Sequence, residues 1–273
     1  MSWETDLKGH PCFNRSASTR YGRVHLPVAP RCNVKCRYCD RRGDCPNESG
    51  PGAASRVLCP DEALAELKRL MARDQRIRVA AVAGPGDPLA NEETFHTLDL
   101  VHREFPELIK CLSTNGLLLS DRVPMLKALG VKSVTVTVNA VDPRVAEPVY
   151  EWVRYRDETY RGHQAAARLV LNQLEGIWRA VRLGLAVKVN TVLIPGVNEG
   201  HVAEVSRVVK GLGVRLMNVM PLVPRAGFRD LPAPGAAMMR AARTAAGAFT
   251  PQMDWCRQCR ADAAGLLGEC GRI

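Results

Sequence analysis

The run Arg31-Cys32-Asn33-Val34-Lys35-Cys36-Arg37-Tyr38-Cys39 sets three thiols at C-x3-C-x2-C spacing. Thiolates are soft ligands suited to iron–sulfur clusters. Three of them hold three corners of a [4Fe–4S] cube and leave the fourth iron open to a small chelating molecule. A zinc knuckle would pair a C-x2-C with a second C-x2-C or an H-x3-H nearby. A disulfide framework belongs to short secreted chains. This chain has 273 residues and no basic-then-apolar leader before the triplet, so neither reading suits it.

The triplet, with Tyr38 just before its last cysteine, resembles the loop of the radical S-adenosylmethionine (SAM) enzymes. That resemblance implies that Cys32, Cys36 and Cys39 hold a SAM-cleaving [4Fe–4S] cluster. The amino and carboxylate groups of SAM would chelate its open iron. The cofactor carries the chemistry; the protein supplies ligation, orientation and exclusion of water.

Seven of the ten cysteines lie outside the triplet. Cys12 follows His10-Pro11, Cys45 lies in Asp44-Cys45-Pro46-Asn47-Glu48, and Cys256 and Cys259 form a C-x2-C. Cys111 closes an apolar run, where a lone cysteine is commonly a small buried hydrophobe. Cys59 and Cys270 have no such setting. Five of these thiols with His10 can ligate one or two further clusters, while a C-x2-C alone is also a zinc half-site or a redox pair. His25, amid apolar residues, reads as a packed core histidine. His96, His102, His163 and His201 read as facing solvent.

Formal net charge is +10, spread along the chain without a nucleic-acid-binding motif, so no nucleic-acid partner is expected. The excess suits anionic iron–sulfur substrates or acidic carrier proteins. There is no apolar run long enough to span a membrane, so the expectation is a cytoplasmic protein with no membrane partner.

These residues need elements to position them. Strands are expected at 24–29, 77–83, 108–113, 133–139, 186–193 and 215–220, separated by helix-length segments at 61–73, 92–104, 121–129, 169–183 and 200–212. The alternation implies βαβ units and a parallel sheet with right-handed crossovers. The fold class is α/β, a partial (β/α)6 TIM-like radical SAM barrel with N- and C-terminal cluster-binding extensions; a flat doubly wound sheet has the same periodicity. The domains read as 1–21, an extension with cluster ligands; 22–220, the core; and 221–273, an extension carrying the C-x2-C. Residues 140–165 read as an insertion rich in Arg and Tyr. The Pro-rich tail reads as flexible, able to deliver ligands and to open for product release.

Chemistry in such barrels sits at the carboxyl ends of the strands. Gly84-Pro85-Gly86-Asp87 follows the second strand and takes the place of the glycine-rich segment that approaches the SAM amine. Ser113 and Asn115 follow the third strand, Asn139 ends the fourth, and Asn190 lies in the fifth. Gly84, Gly86, Asp87, Ser113, Asn115, Asn139 and Asn190 are therefore the candidate SAM contacts, with ordinary turns and strand-end caps as the alternative. Glu48 and Asp87 are also candidates for proton handling.

Taken together, several runs resemble the NifB family of nitrogenase cofactor maturases over nearly the whole chain. They are His10-Pro11-Cys12-Phe13-Asn14, Leu26-Pro27-Val28-Ala29-Pro30-Arg31-Cys32, Asp44-Cys45-Pro46-Asn47-Glu48-Ser49, Ala83-Gly84-Pro85-Gly86-Asp87-Pro88, Ser113-Thr114-Asn115-Gly116, Thr137-Val138-Asn139-Ala140, Met217-Asn218-Val219-Met220-Pro221 and Cys256-Arg257-Gln258-Cys259. The resemblance implies fusion of two [4Fe–4S] substrate clusters, K1 and K2, with a SAM-derived carbide and an added sulfur, into the eight-iron precursor of the iron–molybdenum cofactor. It implies Cys12, Cys45 and Cys111, with His10, as K1 ligands, and Cys256 and Cys259 as K2 ligands. It implies as partners a cluster donor, a cofactor carrier or scaffold protein, and a low-potential electron donor. Gly50 stands where the family has Arg, a role that Arg56 or another basic residue would have to take unless it is dispensable. The end soon after the C-x2-C reads as the short form without a carrier-like domain. A radical SAM enzyme with auxiliary electron-relay clusters acting on a peptide or small molecule, and a non-catalytic cluster scaffold, are the other readings.

Overall fold

The computed structural model describes residues 7–40, 54–269 and 271–272. The elements are β1 (Gly22–His25), β2 (Val34–Cys36), α1 (Pro60–Arg73), β3 (Ile77–Val82), α2 (Glu92–Glu104), β4 (Ile109–Thr114), α3 (Leu119–Ala128), β5 (Val131–Thr137), α4 (Pro143–Ala146), β6 (Tyr150–Tyr155), β7 (Glu158–Tyr160), α5 (Gly162–Arg182), β8 (Ala186–Leu193), α6 (Val202–Gly211), β9 (Leu216–Pro221), α7 (Ala236–Gly247), β10 (Ala263–Gly265) and β11 (Gly271–Arg272). Cys45, Glu48 and Gly50 lie outside the described residues. Among the described residues no helix is long and apolar enough to cross a membrane.

The main sheet runs β11-β10-β1-β3-β4-β5-β8-β9. From β1 to β9 every pairing is parallel and in chain order, the curled half-barrel of a (β/α)6 core. The six expected core strands all form. The first is shorter than expected, because Pro27 and Pro30 have no N–H to donate to a ladder. Period-two alternation then sorts the side chains. Leu112, Val134, Val136, Val187, Val189, Met217 and Val219 pack outward against Leu98, Leu126, Ile177, Val205 and Met239 of the helices. The intervening residues, including Cys111, Ser113, Thr135, Lys188, Asn190 and Asn218, line cavities on the concave face.

The insertion after β5 is a hairpin. Arg156 and Asp157 both have positive φ (50° and 67°), and Tyr155 pairs with Glu158, which makes a two-residue turn matching the strand twist. Strand β6 pairs antiparallel with β2, aligning Val34 with Val153 and Cys36 with Tyr150. The insertion thus clamps the cysteine loop, a contact that neither segment signals alone.

The tail is docked rather than loose. Met253 N donates to Met217 O at 2.7 Å, and Met217 N donates to Pro251 O at 2.9 Å, along the outer edge of β9. Further on, β10 pairs antiparallel with β1. The chain between them crosses from one sheet edge to the other. There Arg23 Nη1 donates to Gly265 O at 2.5 Å, and the Arg260–Asp262 pair, at 2.8 Å and with side chains 9% and 1% exposed, also holds Ser55.

Breaking a buried ion pair by removing one partner costs about 3–5 kcal/mol, whereas an exposed pair is worth about 0–1. Asp262→Ala is therefore expected to lower unfolding free energy by ~3 kcal/mol, and Arg76→Ala, at the exposed Asp74 pair, by far less, in denaturant titrations. Burial pushes the Asp262 carboxyl up, but the Arg260 guanidinium and the Ser55 donors outweigh it and hold it below 3.8. The contribution is thus present at neutral pH and fades as pH falls through that lowered value. Equal losses in the two variants would show that the tail is not anchored there.

Candidate functional site

The cysteine loop is fixed from all sides. Arg37 N donates to Val149 O at 2.9 Å, Gly227 N donates to Arg37 O at 2.8 Å, and Lys35 Nζ donates to Cys39 O at 2.9 Å. The loop after β3 meets it by backbone: Gly86 N donates to Ala29 O at 2.5 Å and Asp87 N to Arg31 O at 2.8 Å. A Cβ at Gly86 would collide with the Arg31 carbonyl, so only glycine permits this approach. Gly84 has φ +135°, a conformation that favours glycine. Both glycines thus shape the seat of the cysteine loop.

Asn115 reaches the same loop. Its Nδ2 donates to Asn33 Oδ1 at 2.7 Å and lies 3.7 Å from Cys32 Sγ. Cys32, Cys36 and Cys39 form no disulfide among the described residues, and all three are half-buried. Among the described residues no three His, Cys, Asp or Glu side chains converge to hold a single metal ion. Thiols spread along a braced loop, with an amide N–H beside one sulfur, fit the corners of a cube instead.

A cavity opens beside Cys39, walled by Tyr38, Asp40, Ser113, Thr137, Asn190, Met220 and Arg225. A second lies deeper, walled by His10, Cys12, His25, Cys111, Lys188, Asn218, Met253, Cys256 and Cys259. The two share Ser113, Asn190 and Met220. Burial first, and the neighbouring Cys12 second, push the Cys111 thiol up to about 12 against the opposing Lys188; burial likewise raises Cys12. Such thiols stay protonated until a metal takes the proton's place.

The sequence expectations divide. Ser113 and Asn190 line both cavities and stand where a small polar ligand would meet them. Asn139 has a different job from the expected SAM contact: it is fully buried, its Nδ2 donates to Tyr38 Oη at 2.9 Å and Tyr150 Oη at 3.2 Å, and its Oδ1 accepts from Val192 N. It braces Tyr38 in the cysteine loop. Asp87 is likewise a hub: its carboxylate accepts from Leu89 N, Asn115 N and Thr114 Oγ1. Burial pushes its pKa up against those donors. At 3% exposure it ties two strand ends together and lines neither cavity.

The two cavity histidines are opposites. Cys12 N donates to His10 Nδ1 at 3.1 Å, so the neutral ring carries its proton on Nε2, which is buried and has no partner among the described residues. His10 offers the cavity a donor, not the lone pair a ligand needs. His25 Nδ1 lies 2.7 Å from Arg260 O, which can only accept, so Nδ1 carries the proton and Nε2 keeps its lone pair. Burial and then Arg23 pull the His25 pKa down to about 4, keeping the ring neutral. A backbone-anchored tautomer of this kind is the usual state of a metal-binding histidine. The core-packing expectation for His25 is corrected: it lines the cavity. His102 and His201, expected to face solvent, are half-buried, and His201 Nε2 accepts from Val141 N.

Comparison with known proteins gives this geometry a family. Residues 26–209 match the Radical SAM superfamily. The chain is 45% identical over 267 residues to the FeMo cofactor biosynthesis protein NifB of Chlorobaculum tepidum, covering 97% of this chain and 63% of that protein. It is 44% identical over 265 residues to the protein of the same name from Methanocaldococcus infernus, covering 96% and 87%. Among solved structures, Streptococcus suis SuiB bound to S-adenosylmethionine superposes with TM-score 0.60 at 13% identity, covering 91% of this chain and 52% of that one, a likeness of fold.

Gly86→Ala forces the loop after β3 off the Arg31 carbonyl, an overpacking worth about 1–3 kcal/mol. The variant is expected to unfold at lower denaturant and to take up less iron per chain on anaerobic reconstitution. Wild-type iron content and stability together would rule out this contact as the seat of the cysteine loop.

Proposed function

Because the chain belongs to the radical SAM superfamily and, within it, to the NifB family, we propose that it is a radical SAM maturase of nitrogenase cofactor biosynthesis, which fuses two [4Fe–4S] substrate clusters with a SAM-derived carbide and an added sulfur into an eight-iron, nine-sulfur precursor. The observation that carries this reading is the wall shared by the two cavities. One cavity opens beside the cysteine triplet and the other collects Cys12, Cys111, Cys256 and Cys259, with Ser113, Asn190 and Met220 common to both.

On this reading Cys32, Cys36 and Cys39 hold the SAM-cleaving cluster, with Asn115 donating beside Cys32. With that cluster bound and two SAM molecules used in turn, the site would supply a methyl group from one, leaving S-adenosylhomocysteine, and from the other, by one-electron cleavage to methionine, the adenosyl fragment that takes hydrogen from that methyl. Ser113 and Asn190 orient the polar groups of SAM. Cys111, His25 and Cys45 serve one substrate cluster, and Cys256 and Cys259 the other. Cys12 is within electrostatic reach of both Cys111 and Cys256 and can serve either. His25, whose Nε2 keeps a lone pair, takes the ligand role that the family resemblance implied for His10. Few ligands for each substrate cluster suits cargo that must leave. A separate cluster donor, a carrier for the product and a low-potential electron donor are the partners this chemistry needs.

The test is anaerobic. The chain is reconstituted with iron and sulfide, reduced and given SAM, and S-adenosylhomocysteine and 5′-deoxyadenosine are quantified together. Comparable amounts of both are expected. 5′-Deoxyadenosine alone would favour an enzyme with relay clusters acting on another substrate, and consumption of no SAM a scaffold. Cys256→Ala with Cys259→Ala is expected to keep SAM cleavage and to abolish the eight-iron product; a normal yield would remove these two thiols from the substrate site.

A further inference from the structure

Lys188 lies in β8 on the concave face, aligned with Thr135 of β5 and Leu216 of β9. It is 5% exposed and its side chain walls the deeper cavity among the thiols. Among the described residues its ammonium makes no ion pair. Its Nζ lies 3.7 Å from Met253 Sδ and 5.7 Å from the centre of the Phe13 ring, and neither neutralises a charge. The buried carboxylate of the docked tail, Asp262, is already paired with Arg260.

A buried ammonium without an anion is costly, and a methionine or leucine would fill the same space without that cost. The charge therefore belongs with something that enters the cavity. Thiolate-bound iron–sulfur clusters carry negative charge and expose sulfides that accept hydrogen bonds. Other donors stand beside it: the Nε2–H of His10, without a partner among the described residues, and Arg257 also line this cavity, and Arg23, behind the wall, donates from Nη2 to the lining Cys259 Sγ at 2.9 Å. Lys188 also acts electrostatically on Cys12 and Cys111, favouring the thiolates that a cluster requires.

We propose that Lys188 is the cation that receives and positions the anionic iron–sulfur substrate in the deeper cavity, completing its charge balance where the cysteines alone leave it negative. This rests on the reading of that cavity as the substrate-cluster site. Lys188 does not touch the reacting carbon; it sets where the substrate sits and how readily it accepts electrons.

The experiment compares full-length wild type, Lys188→Met, Lys188→Gln and Lys188→Arg. Three quantities are read: melting temperature of the iron-free protein, iron retained beyond the four atoms of the triplet cluster, and midpoint potential of the additional clusters. The iron-free Met and Gln variants are expected to melt no lower than wild type, since only an unpaired buried charge is lost. Their affinity for the additional clusters is expected to fall ~10- to 100-fold, as for loss of a group supporting metal ligands, and the potential to shift negative. Lys188→Arg is expected to restore most of both. Wild-type iron retention and potential in Met and Gln would overturn the proposal. So would iron-free Met and Gln variants that both melt well below wild type, because Lys188 would then be structural. The underlying reading fails separately if Cys111→Ala with Cys256→Ala leaves the additional iron untouched.

Discussion

An open half-barrel has two edges whose backbone N–H and C=O groups have no partner, and this fold meets that constraint with one segment. The tail bonds the outer edge of β9 through Pro251 and Met253, then pairs with β1 through β10. Unpaired edges are a liability that proteins cover or pair. Covering both with a single strap forces the strap across the open side of the sheet. Cys256 and Cys259 lie on that crossing, so edge pairing is also what brings them to the lumen. Trp255 Nε1 donating to Pro11 O and Arg15 pairing with Asp254 lay the N-terminal segment, with Cys12, against the same strap.

The second constraint is the pleat. Outward residues are almost all aliphatic and join the helices in two apolar clusters, one behind β4 to β9 and one behind β1 and β3. Fully burying one such side chain is worth about 1.5–3 kcal/mol, so the helix side carries the stability. The inward residues are thereby free to be polar or reactive. In barrels whose lumen is only packing, inward positions are bulky and branched. Here they are Cys111, Ser113, Thr135, Lys188 and Asn190, a face suited to hold a ligand.

This explains what was legible in the sequence. The run Ser133-Val-Thr-Val-Thr-Val announces a strand, and its alternation survives in the structure. The other core strands are visible for the same reason. Contacts between distant segments were not visible: β2 is three residues long and exists because the 150–160 hairpin pairs with it, and β10 exists because β1 has a free edge. Side-chain roles failed where both alternatives share one residue type. A polar residue at a strand end can face a ligand or brace a loop; Asn139 and Asp87 brace, while Ser113 and Asn190 face the cavities. His25 reads as core from its apolar neighbours, but one position of the pleat separates core from lumen. Lys188, set between valines in β8, was an unused signal, because a buried lysine with no ion pair among the described residues calls for an anion.

The same logic separates the two histidines, which composition treats alike. What decides is the partner of Nδ1. A backbone carbonyl there takes the proton and leaves Nε2 basic, as in His25; a backbone N–H there takes the lone pair and leaves Nε2 a donor, as in His10. One ring then offers the cavity a lone pair and the other an N–H. Both anchors are main-chain atoms of the extensions, Arg260 O in the tail and Cys12 N near the start. The segments that close the half-barrel therefore assign its histidines their chemistry. An extension that docked in another register would keep every candidate ligand in the cavity and still present the wrong nitrogen.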